Sequence, residues 1–318
     1  MTLHREDASQ AGGIAVVIPL YNKAPWVGET IQSVLAQSHK PDEIIVVDDG
    51  STDEGPAIVS EMGGSRVRLL RSEMPRSGPS AARNAGIRAA KSEWIALLDA
   101  DDLWDPEYLL NVSQSIKEEP NIGCIFASRT MVGSAQVFQH PPAGKGNASR
   151  KLNLETYLDL WIETGRAGLS PMCSSSAVIR SDVIRAAGLF PERHRRGEDK
   201  DTWLRVIAIA DAVYLPQPLI SYRRDLPGQL NQGPALELPP VIATASEMAK
   251  SNDLSVGARD KLRLLANREA WLYAKRRRLR RFDKRAFDAI SNDPLHYCLM
   301  AGLYGAGALR ERVGKLMP

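Results

Sequence analysis

Residues 94–102 read Trp94-Ile95-Ala96-Leu97-Leu98-Asp99-Ala100-Asp101-Asp102 and form the most informative segment of this 318-residue chain. Its five apolar residues, bounded by polar ones, are typical of a buried strand in a parallel sheet. An open α/β sheet forms its ligand crevice at the carboxyl ends of such strands. Because side chains alternate along a strand, Asp99 and Asp101 are expected to project to the same side. The pair predicts a divalent metal ion that also meets substrate phosphates. The alternative is a pair of solvated turn formers before Pro106.

Composition and charge place the chain among ordinary globular proteins, with 43% hydrophobic and 25% charged residues. The net charge of +3 does not argue for a nucleic-acid partner. The cysteines (Cys124, Cys173, Cys298) lie far apart without zinc spacing, which favours a reduced compartment. Residues 1–13 are polar and are predicted to be flexible, and no apolar run reaches the roughly 18 residues that span a bilayer. A cytoplasmic location is therefore expected.

Strands and helices are predicted to alternate up to about residue 130. Strands are expected at residues 14–18, 44–47, 67–70 and 94–98, and helices at 25–38, from 53 onward and at 80–91. This alternation favours a doubly wound parallel sheet with right-handed crossovers.

The second half of the chain is predicted to be less regular. A polar loop is expected at 133–149, a helix at 154–163, a serine-rich strand at 174–179, and helices at 182–187 and 198–210. A linker rich in Pro and Gly at 227–240 then precedes a basic helical region.

Two further predicted strands also end in residues that suit a ligand. The first ends in Pro19-Leu20-Tyr21-Asn22-Lys23, where Tyr21 can stack on a planar base or simply pack at the sheet edge. The second ends in Asp48-Asp49-Gly50, where a carboxylate can accept from a pyrimidine N–H or from ribose hydroxyls. In a turn without a ligand, Asp48 would instead be a cap and Asp49 would face solvent.

Gly78-Pro79-Ser80-Ala81-Ala82-Arg83-Asn84-Ala85-Gly86 opens an alanine-rich helix. A helix N-terminus favours anions, and Arg83 can pair with a phosphate. The small residues allow this helix to lie close to the sheet. The segment lacks the GK[ST] ending of a Walker A loop, and the chain contains no GxGxxG.

Taken in order, VVIPLYNK (16–23), IIVVDDGSTD (44–53), GPSAARNAG (78–86) and WIALLDADD (94–102) resemble the motifs of family 2 glycosyltransferases of GT-A fold, over residues 14–224. The resemblance implies an α/β fold with a doubly wound, mostly parallel sheet flanked by helices and a C-terminal helical extension. It also implies an inverting enzyme that uses a nucleotide-sugar donor, with uridine as the expected base and Mn²⁺ or Mg²⁺ as the cofactor.

The resemblance also implies roles for individual residues. Asp101 would bind the metal that bridges the diphosphate, and Asp99 would contact the metal or the ribose. Asp49 would bind the base, with Asp48 as the near alternative. The whole implied nucleotide-binding set is Pro19, Tyr21, Asn22, Asp48, Asp49, Arg83 and Asp99.

Glu198-Asp199 resembles the acidic pair that opens a helix facing the acceptor in this family. Inverting transfer needs a base to take the proton of the acceptor hydroxyl. Asp199 is the predicted base and Glu198 the alternative, although acidic residues are also ordinary in a helix first turn. The QxxRW pattern of processive members is absent, since residues 219–224 read LISYRR, which favours transfer of a single sugar.

The predicted domains are a catalytic domain at 14–226, with nucleotide and acceptor halves at 14–130 and 131–226, and an extension at 227–318. Basic residues at 274–285 precede an apolar stretch at 295–309. This region could hold the protein peripherally at an anionic membrane surface, pack on the catalytic domain or form a dimer contact. The expected partners are the donor and a sugar, polysaccharide or lipid-linked acceptor. A non-catalytic sugar-nucleotide binder and, less favoured, a DxD phosphotransferase are the competing functions.

Overall fold

The computed structural model describes residues 13–133, 137–142, 148–165, 169–194, 196–226 and 237–276. These residues build a ten-stranded mixed sheet with helices on both faces. The predicted α/β fold with a helix-flanked sheet and C-terminal helices is confirmed.

The first half of the chain is the alternating unit that the apolar pattern predicts. Its elements are β1 (Ile14–Leu20), α1 (Ala24–Leu35), β2 (Glu43–Asp48), α2 (Gly55–Gly63), β3 (Arg68–Arg71), α3 (Pro79–Ala89) and β4 (Trp94–Leu97). All four strands pair in parallel, so their carboxyl ends lie at one edge of the sheet. Alternate residues of β1 enter two separate apolar cores, with Val17 on one face and Val16 on the other.

The second half of the chain contributes mostly antiparallel strands. Its elements are β5 (Leu103–Trp104), α4 (Tyr108–Glu118), β6 (Cys124–Val132), β7 (Val137–His140), β8 (Arg150–Leu152), α5 (Leu154–Thr164), β9 (Ala177–Arg180), α6 (Ser181–Ala186), α7 (Glu198–Ile209) and β10 (Ala212–Arg223). β10 runs parallel to β6, whereas β9 pairs antiparallel with both β4 and β6 and so joins the two halves.

Two local predictions in this half were wrong. The region predicted as a loop at 133–149 contains β7, which pairs antiparallel with β6. The predicted strand at 174–179 begins as a 3₁₀ turn, Ser174–Ser176, and β9 starts only at Ala177. Hydroxyl bonds explain the turn, because Ser176 Oγ donates to the Cys173 carbonyl and accepts from the Cys173 amide.

The C-terminal helices are α8 (Pro240–Met248) and α9 (Val256–Arg276). Apolar residues of both helices, including Ile242, Leu265 and Tyr273, belong to the same buried cluster as one face of the sheet. Trp161 and Trp203 also lie in this cluster and are fully buried.

Among the residues that the structure describes, no helix is both long and apolar enough to cross a membrane. Most of the basic segment at 274–285 and the whole apolar stretch at 295–309 lie outside the described residues, as do residues 1–12 of the N-terminal segment.

Candidate active site

Helix α3 lies directly against the sheet and brings Arg83 to the strand tips. A Cβ added at Gly86 would lie 2.4 Å from Val17 Cγ1, so only glycine permits this approach. Arg83 itself is 5% exposed, and its guanidinium lies 5.3 Å from the centre of the Phe190 ring. The prediction that small residues let this helix approach the sheet is therefore confirmed.

The two adjacent aspartates at the end of β2 stabilise different turns. Asp48 Oδ1 accepts from the Ser51 amide at 2.8 Å, which is the capping role expected for a turn without a ligand. Asp49 is only 4% exposed and does not face solvent. Its carboxylate accepts from the Gly78 amide at 2.8 Å and from Ser77, and thereby holds the loop that leads into α3.

The tip of β1 is tied to the tip of β2. Asn22 has a φ of 51° and accepts from the Thr52 amide through Oδ1 at 2.8 Å, while its own amide donates to Ser51 Oγ. Its side chain thus fastens the tip of β1 to the turn after β2. Tyr21 is 41% exposed at this edge, and Pro19 is partly buried beside it.

Arg83 joins the donor half of the chain to the start of α7. Its Nη2 lies 2.6 Å from Asp99 Oδ1, and its Nη1 lies 3.6 Å from Glu198 Oε1. Burial alone would lower the pKa of Arg83, but the neighbouring Asp99 and Glu198 carboxylates raise it above its ordinary value. The guanidinium is therefore a fixed positive charge between two acidic motifs that are distant in sequence.

Asp101 pairs with a different cation. The Lys23 ammonium lies 2.6 Å from Asp101 Oδ2, and both side chains are mostly buried. The alternation argument for Asp99 and Asp101 was wrong in its premise, because β4 ends at Leu97 and the backbone then turns, with the Asp102 amide donating to the Asp99 carbonyl. The two carboxylates still lie in one turn at the carboxyl edge of the sheet.

Asp102, which was not predicted as a site residue, stabilises this turn from its buried side. It is 1% exposed, accepts from Ser175 Oγ through Oδ2, and accepts from the Arg223 amide at 2.9 Å through Oδ1. Burial raises its pKa, and the Asp101 and Asp99 charges raise it further. Ser175 Oγ also accepts from the Asp99 amide at 3.2 Å, so this serine supports the turn.

Glu198 and Asp199 open α7 and differ in their surroundings. Glu198 is 8% exposed beside Arg83, and burial raises its pKa to about 7, with Asp199 adding to the effect and Arg83 opposing it. Asp199 is partly exposed, and burial raises its pKa while the Lys200 ammonium opposes the rise. A partly exposed carboxylate with a raised pKa suits proton transfer to or from a substrate.

Sequence signals exist for some of the side chains that were missed. Lys23 directly follows the Tyr21-Asn22 tip, and Asp102 directly follows Asp101, so both lie inside motifs already singled out. Ser175 and the Arg223 amide come from the second half of the chain. Nothing in the local pattern of that half connects them with the strand tips.

The donor set at the turn fits a divalent ion brought with a diphosphate. In the described part of the chain, no group of three or more His, Cys, Asp or Glu side chains forms a complete metal site. Carboxylate oxygens suit Mg²⁺ and Mn²⁺, and Mg²⁺ is usually held by one or two carboxylates while substrate phosphates complete its shell. Asp99 and Asp101 are two such carboxylates in one turn. Each is paired with a cationic side chain, Asp99 with Arg83 and Asp101 with Lys23, so both carboxylates already attract positive charge.

The family model described as Glycosyl transferase family 2 matches residues 15–173. An uncharacterized glycosyltransferase of Rickettsia conorii is 31% identical over 200 residues, which cover 61% of this chain and 30% of that protein. The chain thus spans about a third of the length of that relative. Glycosyltransferase GlyG of Streptococcus pneumoniae is 29% identical over 66% of this chain and 70% of its own length. The Escherichia coli glucosyltransferase WfgD, named for UDP-Glc and α-D-GlcNAc-diphosphoundecaprenol, is 28% identical over 61% and 69% of the two chains.

Solved structures share the fold at low sequence identity. S. aureus TarS 1–349 in complex with UDP-GlcNAc superposes with a TM-score of 0.68 at 17% identity, covering 95% of this chain and 92% of that one. The mannosyltransferase PcManGT from Pyrobaculum calidifontis, in complex with GDP-Man and Mn²⁺, superposes with a TM-score of 0.57 at 18% identity, covering 96% and 84%. At these identities the likeness concerns the fold.

Proposed function

The chain belongs to glycosyltransferase family 2, and from that premise we propose that it moves one sugar from a UDP-sugar to an acceptor hydroxyl with inversion at the anomeric carbon. The observation that carries the proposal is the position of Arg83, bonded to Asp99 at the donor edge and 3.6 Å from Glu198 at the start of α7. One buried guanidinium thereby joins the two acidic motifs that such a reaction needs on opposite sides of the transferred sugar.

Donor binding is assigned to the strand tips of residues 14–130. Tyr21 offers an exposed ring for the base, and Arg83 a fixed positive charge near the phosphates. The Asp49 carboxylate, which already accepts from Ser77 and Gly78, would accept the N–H of the base in addition. Asp99 and Asp101 would hold Mn²⁺ or Mg²⁺, which neutralises charge on the departing diphosphate when it is bound. UDP is chosen as the nucleotide because TarS was solved with UDP-GlcNAc and WfgD is named for UDP-Glc.

Asp199 is the proposed general base, with Glu198 as the alternative. Glu198 is buried and directed to Arg83, whereas Asp199 is partly exposed and can meet an acceptor hydroxyl. As the acceptor oxygen bonds to the anomeric carbon, the bond from that carbon to the diphosphate oxygen breaks. The hydroxyl proton passes to the carboxylate, and the diphosphate leaves on the opposite face.

The acceptor is proposed to be a sugar of a cell-surface polysaccharide or glycolipid precursor. Succinoglycan biosynthesis protein ExoO of Rhizobium meliloti is 45% identical over 30% of this chain, and WfgD is named for a lipid-linked acceptor. Residues 14–226 would form the catalytic domain and residues 227–318 an extension. Peripheral attachment to the cytoplasmic face of a membrane through the basic tail is part of this proposal.

The test is a transfer assay with UDP-, GDP- and dTDP-sugars, with and without Mn²⁺, on lipid-linked and free sugar acceptors. We expect transfer from a UDP-sugar that depends on the metal, with inverted anomeric configuration by NMR. Asp199→Asn should lower kcat by about 10²–10⁴-fold and leave UDP binding within about twofold.

Asp182→Asn is the matched control, because Asp182 also lies in the first turn of a helix, α6, but is outside the site. It should retain wild-type turnover. Retained configuration, or full activity of both Asp199→Asn and Glu198→Gln, would refute the mechanism. UDP binding without turnover on any acceptor would favour a sugar-nucleotide binder.

A further inference from the structure

The first turn of α7 holds the proposed base, and its N-cap residue offers no side chain. That residue is Gly197, with a φ of 72°. The Lys200 amide donates instead to Asp199 Oδ1 at 2.7 Å, so the proposed base is itself bonded to a free amide of the turn. The free amides of a helix N-terminus need such partners. Contacts that hold the backbone at Lys200 therefore also bear on where the Asp199 carboxylate lies.

The C-terminal helices supply such contacts. The Lys200 ammonium donates to both carboxylate oxygens of Glu269 on α9, at 2.8 and 2.7 Å. Asp201 accepts from Thr244 Oγ1 on α8, and a Cβ on Gly197 would lie 3.1 Å from Pro239 Cβ just before α8. Residues flanking Glu198 and Asp199 are thus fastened from outside the predicted catalytic domain.

The ion pair between Lys200 and Glu269 is a costly way to fasten two helices. Glu269 is 4% exposed and lies on α9 beside the buried apolar residues Leu265, Ala266 and Ala270. Burying two charges costs desolvation energy that their attraction repays only partly, so apolar residues would stabilise the same contact as well. Two bonds to one carboxylate hold the Lys200 ammonium against α9 and thereby tether the first turn of α7 to that helix.

We propose that Glu269 is a positioning residue for the transfer reaction: through Lys200 it holds the first turn of α7 so that the Asp199 carboxylate faces the acceptor. This inference rests on the proposed role of Asp199 as the base. Glu269 lies in the C-terminal extension, which follows the sheet in sequence, so the proposal gives that extension a role in catalysis.

A second ion pair of α9 provides the matched comparison. Lys261 bonds to Glu155 at 3.2 Å and to Asp159 at 2.8 Å, both on α5. This ion pair also fastens α9 to the rest of the protein, but both of its carboxylates lie on α5 and not on α7. A purely structural role for Glu269 predicts that breaking either contact has the same kind of effect.

The experiment compares Glu269→Gln with Lys261→Gln in the full chain, using steady-state kinetics and thermal unfolding. Glu269→Gln should lower kcat by about 10–100-fold while KM for the UDP-sugar stays within about twofold, because the donor residues lie on other elements. Lys261→Gln should leave kcat within about twofold of the wild-type value, even if it lowers the Tm as much as Glu269→Gln does. A kcat for Glu269→Gln within twofold of wild type, or parallel losses in both variants, would overturn the proposal.

Two additional variants keep the result interpretable. Lys200→Gln/Glu269→Gln replaces the ion pair by two amides that can still bond, and should recover part of the kcat lost in Glu269→Gln if position is what matters. No recovery in a folded double variant would count against it. Asp199→Asn separates the two proposals: if it stays active the assignment of the base has failed, whereas an inactive Asp199→Asn beside a fully active Glu269→Gln rejects only the role of Glu269.

Discussion

The Lys23 ammonium lies 2.6 Å from Asp101 Oδ2, so the carboxylate proposed to bind the metal already has a positive partner. Both side chains are largely buried, at 17% and 11% exposure, which limits screening by solvent. A divalent ion that binds Asp101 must therefore compete with Lys23.

Lys23→Met is expected to strengthen Mn²⁺ binding in the absence of nucleotide by about 3–10-fold. In the wild-type protein the ion must displace Lys23 from Asp101, and breaking a partly buried ion pair costs about 1 kcal/mol of the binding free energy. Electron paramagnetic resonance of free Mn²⁺ measures this directly. Lys151→Met, which breaks an exposed pair with Glu119, should leave the affinity unchanged. Equal Mn²⁺ affinity in the wild type and Lys23→Met would contradict the competition.

The pH dependence of kcat should show an acid limb above the pH range in which an ordinary carboxylate titrates. Burial raises the pKa of Asp199, the proposed base, and raises that of Glu198 to about 7. A base works only when deprotonated, so kcat rises with pH through the raised pKa of the base. Glu198→Gln removes a negative neighbour, which lowers the pKa of Asp199 and moves the limb to lower pH. A limb that stays in place would argue against coupling, and inactivity of the variant at every pH would transfer the role of base to Glu198.

Gly86→Ala and Gly28→Ala should change stability in opposite directions although both glycines are helical. At Gly86 the new Cβ would lie 2.4 Å from Val17 in the core, whereas at Gly28 it would lie 3.1 Å from Sδ of Met62, a flexible side chain that can move. We expect a loss of about 1–3 kcal/mol for Gly86→Ala and a gain of up to about 1 kcal/mol for Gly28→Ala in urea unfolding. A stable Gly86→Ala would show that α3 can shift away from the sheet.

Ser175→Ala should destabilise the protein and weaken donor binding together. The hydroxyl donates to buried Asp102 and accepts from the Asp99 amide, so its removal leaves polar groups short of a partner and should cost about 1–3 kcal/mol. UDP affinity, measured by calorimetry with Mn²⁺, should fall because the turn that carries Asp99 and Asp101 loosens. Ser38→Ala, at an exposed pair of hydrogen bonds, is the control and should change neither quantity appreciably. Unchanged UDP affinity in Ser175→Ala would mean that the turn keeps its shape without this support.

Local patterns in the sequence were sufficient for much of the fold. The apolar runs of β1, β2 and β4 and the spacing in α1 predict those elements because burial of a strand or a helix face leaves a short-range periodicity. The position of the strand-tip motifs was predictable for a different reason: parallel strands bring their carboxyl ends to one edge of the sheet. β7 was missed because its main evidence is its pairing with β6, which a local pattern does not contain.

Local sequence patterns are therefore enough to locate the parallel strands and the acidic and polar residues that follow them at one edge of the sheet. The pairing of distant side chains is visible only in the folded protein: Lys23 bonds to Asp101 across 78 residues, Ser175 to Asp102 across 73, and Lys200 to Glu269 across 69. These pairings follow from strand order and from the docking of α9 on the core. A charge pair between distant segments leaves no periodic trace in either one, so the partners became visible only once the chain was folded.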